Sequence, residues 1–414
     1  KPASFALGKP GTKSDDDIVI VSCCRTAITK ARKGAFAQSH VEDLLAVVFK
    51  EAIKRANIKP EVVGDIVVGS VLGQNVQRAN EARIAQFFAG IPASVPLHLI
   101  NRQCSSGIQA CAHVAASIKA GYYDVGIASG VESMSTAKMG WEGDMNPATF
   151  LNQQAKDCLL PMGITSENVA KQWKVTRTEQ DTLAAASNAK AIAAIAKGNF
   201  KKEIVPVKVT LLDKKTGQKT TKVVDTDEGP RDGVTVDSLS KLKPAFDPKG
   251  STHAGNASQV SDGAAAVIMM TRKKAVELGC PIMGVFRSFA CVGVEPSVMG
   301  IGPAFAIPAA LSQCGLTDKD IEVYEINEAF ASQAVMSIKH LNIDMAKVNP
   351  NGGAIALGHP LGMTGARQVS TLLYELQRRK EADKAANKPA KVYNGVISMC
   401  IGSGMGAGAV LELE

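Results

Sequence analysis

Residues 18–23, IVIVSC, are apolar at nearly every position, the pattern of a strand buried on both faces. The period then lengthens. Val41, Leu44, Leu45, Val48 and Ala52 recur at the spacing of one helix face, and Ser39 with Glu42 three residues on predicts the cap that starts it. A strand over 65–71 follows, then a helix carried by Ile108, Cys111, Ala112, Ala115 and Ile118, then a strand over 125–129. Strands alternating with amphipathic helices predict an α/β fold.

From about residue 140 the pattern changes. Trp141-Glu142-Gly143-Asp144 opens an irregular stretch, Thr176 and Glu179 cap an Ala-rich helix that Gly198 ends, and charged strand-like pieces run over 201–224. The buried strand 264–270 then resumes the first pattern, which makes the middle an inserted lobe. The last third echoes the first. Helix 305–314 and strand 323–327 parallel helix 41–55 and strand 65–71, residues 347–349 parallel 99–101, and 393–399 parallel 124–130. Echoes this far apart predict a duplicated α/β unit rather than a solenoid, with equivalent turns of the two copies facing one another. The expected division is an N-terminal extension 1–17, a first unit 18–139 plus 251–280, an insertion 140–250 and a second unit 281–414.

With 414 residues and 45% apolar content the chain can bury a large core. No apolar run reaches the length of a membrane span. A net charge of +8 with 5% aromatic residues and no basic, aromatic stripe argues against a nucleic-acid partner and suits an anionic small ligand. The nine cysteines include no C-x-x-C pair, which argues against a structural zinc or other metal site, a haem or a complete disulfide framework, and for a reducing compartment. Lys1 stands where a methionine would, which leaves room for a removed presequence, and the C-terminal Leu-Glu-Leu-Glu is not the peroxisomal S-K-L signal.

Three reactive side chains lie in glycine-rich turns. Cys104, in NRQCSSG, is expected within the first turn of its helix, where free N–H groups and the helix dipole favour a thiolate and so a nucleophile. Cys400 lies in CIGSG and His359 in GHPLG. Two thiols and an imidazole in such turns point to carbon–carbon bond chemistry on a thioester. Cys23, Cys24 and Cys111 read as small buried hydrophobes, and His113 and His340, within helices, as structural.

NRQCSSG at 101–107, GVESM at 130–134, NEAFA at 327–331, GGAIALGHPLGMTGARQ at 352–368 and SMCIGSGMGAG at 398–408 together resemble the thiolase family, from about Ile18 to the C-terminus. Residues 158–168 and 257–263 resemble its degradative 3-ketoacyl-CoA members, especially the peroxisomal type. The resemblance implies a layered αβαβα core of two duplicated units and thiolytic cleavage of 3-ketoacyl-CoA by CoA. Cys104 would be the nucleophile and His359 its base, the latter also forming an oxyanion hole with a water held by Asn327. Cys400 would be the acid and base, and the backbone N–H groups of Cys104 and Gly402 would hold the second oxyanion. For CoA, a co-substrate rather than a bound cofactor, it implies contacts from Arg231, Ser258 and Met162. It implies a homodimer in the peroxisome, with the mitochondrion as the alternative.

Two positions depart from the family's common pattern. Pro161 stands where short-chain biosynthetic members carry His, which favours degradation of longer chains, and residues 380–391, with four lysines, form a longer connection that reads as a solvated surface loop. Glu328 either orients its neighbours or satisfies backbone. The seven lysines between Lys201 and Lys222 read as a solvated face that CoA phosphates would also suit. The nearest rival activity is acetoacetyl-CoA synthesis by an acetyl-CoA C-acetyltransferase. Ketoacyl synthases pair Cys with two His, or His and Asn, where this chain has Cys400, and a non-catalytic acyl-CoA carrier has no need of two reactive thiols. A reversible Cys104–Cys158 disulfide is one further expectation.

Overall fold

The computed structural model describes residues 7–73, 77–137, 139–141, 143–213 and 215–414. Residues 1–6 of the expected extension, Glu142 of the irregular stretch and Lys214 of the lysine run lie outside the described residues. Strands β1 (Ile18–Arg25), β2 (Thr29–Lys30), β3 (Asp65–Gly69), β4 (Leu97–Ile100) and β5 (Val125–Ser133) precede a hairpin of β6 (Val207–Leu212) and β7 (Lys219–Val224). After it come β8 (Ser261–Thr271), β9 (Gly284–Gly293), β10 (Ile321–Ile326), β11 (Asn394–Ile401) and β12 (Met405–Leu413).

The two halves share one topology. In the first, β3 runs parallel to β4 and β5, and β8 is antiparallel to both β5 and β1. In the second, β10 runs parallel to β11 and bridges Val348 through Tyr324, and β12 is antiparallel to both β11 and β9. The duplicated α/β unit is therefore real. The halves meet where β1 pairs with β9 at Val19–Val285 and Ile20–Gly284, so one ten-stranded sheet runs through the molecule.

Five layers result. Helix Val41–Ala56 covers β1 and β8 on one outer side, and helix Gly302–Gln313 covers β9 and β12 on the other. Between the half-sheets lie helices Ser106–Lys119 and Leu361–Ala385, the latter touching β5 and β8 as well as β10 and β11. Every residue from Leu361 to Leu373 is buried, as a helix covered on all sides requires. Glycines let the two central helices start against each other: a Cβ on Gly107 would lie 2.6 Å from Gly362 O, and one on Gly365 2.3 Å from Ile108 N. Among the described residues no helix is long and apolar enough to cross a membrane.

The buried Arg25 cation is paired. Arg25 at the end of β1 binds Glu203 and Asp227, each at 2.7 Å, and so ties the first strand to the segment that follows the Ala-rich helix. Local expectations met mixed outcomes. Thr176 and Glu179 form a reciprocal capping box, and Gly198 takes a left-handed φ of +72° just past the helix end. Ser39 does not cap its helix: its N–H closes a turn onto Phe36 O, and His40 occupies the N-cap without a side-chain bond. Residues 380–385 are helix rather than loop. Glu375 pairs with Arg378 at 2.9 Å and Arg379 at 3.1 Å, and Gln377 with Glu381 at 3.0 Å, which carries the exposed turns on to Ala385.

Candidate active site

Cys104 is half-buried and lies ahead of its helix, not in the first turn: Ser105 is the N-cap and Ser106 the first helical residue. Gln103, at a left-handed φ of +48°, makes the sharp bend that presents the thiol, and its N–H donates to Asn101 Oδ1 at 2.9 Å. The expected thiolate is not the resting form. Burial pushes the Cys104 thiol up to about 11, against the opposing pull of the Gly402 and Cys104 backbone N–H groups, and the nearby Glu132 carboxylate adds to the rise. Deprotonation therefore needs a base.

His359 has the form of one. Its Nδ1 lies 2.6 Å from Thr364 Oγ1, and that hydroxyl's single proton goes to Pro360 O at 3.0 Å. Thr364 must then accept from Nδ1–H, which leaves Nε2 with its lone pair, 3.3 Å from Asn327 Nδ2 as donor. Burial, aided by the Arg367 cation, lowers this imidazole to about 3 and keeps it neutral. Asn327 follows β10, and its buried Oδ1 has no protein partner among the described residues.

Cys400 is the penultimate residue of β11, and its thiol is raised well above the ordinary range by burial and then by Cys104 beside it. Its Sγ lies 3.2 Å from the Gln333 amide. The tight turn after β11 uses Ser403 at φ +62° and Gly404 at φ +91°, where a Cβ would strike Val294 O at 2.4 Å. That turn brings Gly402 over the Cys104 bend: a Cβ there would meet the Gln103 side chain and Met162 Sδ, both at 3.7 Å. The duplication thus brings the β11–β12 turn of one half to the Cys104 bend of the other.

Met162 opens helix Met162–Gln172 and, with Ala257, packs against Met299, Ala329, Phe330 and Cys400. Ser258, partly exposed, donates its N–H to Ala329 O at 2.9 Å. Arg231 is exposed, and two residues before it Gly229 abuts Ala356 at the base of the His359 loop. The described lysines of the 201–222 run are exposed. Glu328 accepts from Ser187 Oγ at 2.6 Å, Asn349 Nδ2 at 2.8 Å and Ile355 N at 3.2 Å, which orients neighbours and satisfies backbone together. Cys158 is exposed, with its Sγ 3.9 Å from Ser403 O, and all nine cysteines are free thiols here, so no Cys104–Cys158 bond is formed.

Three residues of the site escaped the sequence reading. Thr364 lies inside the GGAIALGHPLGMTGARQ run, Gln333 just beyond NEAFA, and Glu132 inside GVESM. The Glu132 carboxylate accepts from Val71 N, Leu72 N and Gly362 N at 3.0, 3.0 and 2.9 Å, stapling the loop after β3 to the start of the His359 helix. Burial pushes it up to about 7. A polar residue set among glycines and apolar neighbours was the available signal for Glu132 and Thr364, whereas Gln333, next to Ser332, carried none.

Comparison with known proteins gives two family matches, "Thiolase, N-terminal domain" over residues 18–273 and "Thiolase, C-terminal domain" over 280–413. The chain is 54% identical over 412 residues to the peroxisomal 3-ketoacyl-CoA thiolase 1 of Arabidopsis thaliana, covering 99% of this chain and 91% of the relative. Among solved structures, the dimeric peroxisomal thiolase of Saccharomyces cerevisiae superposes with a TM-score of 0.88 at 44% identity, covering 97% of this chain and 99% of that one. The Bacillus anthracis acetyl-CoA acetyltransferase does so with a TM-score of 0.84 at 34% identity, covering 96% and 99%.

Proposed function

Because the chain belongs to the thiolase family, we propose that it is a 3-ketoacyl-CoA thiolase, cleaving its substrate with CoA to acetyl-CoA and a chain-shortened acyl-CoA. It works in the peroxisome, as its relatives' names indicate, and as a homodimer like its yeast neighbour. CoA comes and goes as a co-substrate. Residues 140–250 form the lobe that receives it, with Arg231 at the charged end and Met162 lining the acyl channel, and Ser258, just beyond the lobe, meets the pantetheine arm.

Nε2 of neutral His359 takes the proton of Cys104, whose sulfur attacks the 3-keto carbon. The oxyanion is received by His359 and an Asn327-held water. The bond between C2 and C3 then breaks, its electron pair leaves as the acetyl-CoA enolate, and Cys400 gives its proton to C2. In the second half, Cys400 as thiolate takes the proton of an incoming CoA thiol, and the CoA sulfur attacks the acyl group on Cys104. The backbone N–H groups of Cys104 and Gly402 hold that oxyanion while the Cys104 sulfur departs as thiolate and takes back its proton from His359.

The observation that carries this reading is the meeting of two thiols from the two halves, with the Gly402 N–H at the Cys104 sulfur. A carrier needs no second thiol, and a ketoacyl synthase has a different partner there. Mass spectrometry after incubation with acyl-CoA is expected to find the acyl group on Cys104, and Cys104→Ala to lose turnover. An adduct elsewhere, or a Cys104→Ala variant near the original rate, refutes the assignment. A thiolysis profile against chain length separates this activity from acetoacetyl-CoA synthesis.

A further inference from the structure

Cys400 must carry negative charge once its proton has gone to C2, and it lies in a fully buried site. The Gln333 amide is the polar side-chain group against its sulfur. One end of that amide faces both Asn327 O, at 2.9 Å, and Cys400 Sγ, at 3.2 Å; the other faces Ala334 N, at 2.7 Å. A carbonyl accepts and an N–H donates, so the amide matches both backbone groups only with the nitrogen toward Asn327 and the oxygen toward Ala334, whose N–H also reaches Phe330 O at 3.3 Å. The nitrogen's second hydrogen then serves the sulfur. The side chain is wedged in place: it is fully buried, and Gly300 approaches so closely that a Cβ there would lie 2.7 Å from Gln333 Cβ.

We propose that Gln333 is a positioning residue whose amide nitrogen stabilises the Cys400 thiolate and holds that sulfur in register with Asn327. This rests on Cys400 being the acid of the reaction. In the step concerned the S–H bond of Cys400 breaks and a C–H bond forms at C2, so the negative charge passes from enolate to sulfur, where an N–H donor meets it. In the second half the same donor is released when Cys400 takes the CoA proton.

The test follows exchange of the acetyl-CoA methyl hydrogens with deuterated water, which needs the Cys400 thiolate, beside acylation of Cys104 by p-nitrophenyl acetate, whose phenolate leaves without a proton from Cys400. Gln333→Met keeps length without a donor, and Gln333→Leu provides a second variant should the first fold poorly. Exchange is expected to fall roughly ten- to a hundredfold, the worth of a hydrogen bond to a charged group, with acylation within about twofold. The fall should persist in an Asn327→Ala background. Exchange within about twofold of the original protein overturns the inference, as does a loss that disappears in Asn327→Ala, which would route the effect through Asn327. A Cys400→Ala variant that still exchanges refutes the acid assignment, and this inference with it. If Cys400→Ala abolishes exchange while the Gln333 variants retain it, only the role of Gln333 falls.

Discussion

Gly130, within β5, is where the first half touches the His359 loop of the second, and adding one methyl group there tests that junction. A Cβ on Gly130 would lie 2.1 Å from Gly362 O, 2.9 Å from Gly362 C and 3.0 Å from Met363 Cα, all backbone atoms with no rotamer to yield. Ordinary contact begins at 3.4 Å, so the start of the His359 helix must withdraw by about 1.3 Å. Such overpacking costs typically ~1–3 kcal/mol of stability. His359 precedes Gly362 by three residues and moves with it, and a misplacement of about 1 Å is worth roughly a hundredfold in rate. Gly130→Ala should therefore lower the urea unfolding midpoint and slow single-turnover acylation of Cys104 by about that factor. Gly293→Ala, with nothing within 4 Å of its new Cβ, is the control and should stay within about 0.5 kcal/mol. An acylation rate unchanged in Gly130→Ala would refute the close backbone junction and its role in placing the base.

Thr364→Val removes the acceptor that fixes the His359 tautomer and should slow Cys104 acylation roughly three- to tenfold, with Thr364→Ser restoring it; equal rates in all three proteins would show that Thr364 does not orient the ring. Unfolded His359 titrates near 6.5 but folded only near 3, so its contribution is fully present above pH 6.5 and is lost as the pH falls toward 3, by up to roughly 4–5 kcal/mol. Glu132 runs the other way: its folded value of about 7 lies above the ordinary 4.5, so stability declines as the pH rises between them. Urea midpoints across this range should lose the acid-side slope in His359→Asn and the opposing slope in Glu132→Gln, and unchanged slopes would contradict both. Arg25→Ala leaves Glu203 and Asp227 buried without their cation and should cost about 3–5 kcal/mol in guanidinium unfolding, whereas a loss under about 1 kcal/mol would show that water reaches those carboxylates.

Hydrophobic periodicity was enough to reveal the α/β alternation, the return of the first unit at β8 and the duplication, because fully buried strands and the faces of covered helices leave little freedom in residue type. The reactive side chains were legible for a related reason. Cys104, His359 and Cys400 each sit in runs of glycine and small residues, a composition that close backbone approach enforces and that packing alone seldom demands. What the sequence could not carry was anything set by contacts between distant segments. The Ser39 cap failed because residues 36–39 close their own turn. The Cys104 thiol is raised, against the local expectation from its helix, because its burial outweighs the N–H groups around it. The His359 tautomer depends on one hydroxyl proton shared out by Thr364 and Pro360, and the donor at Cys400 on how Gln333 must turn to match two backbone groups. Local sequence thus determined the elements and the chemical groups. The protonation states and partners of those groups were decided only by tertiary structure, since burial, charge and hydrogen-bond geometry at a site are sums over residues that the chain order keeps apart.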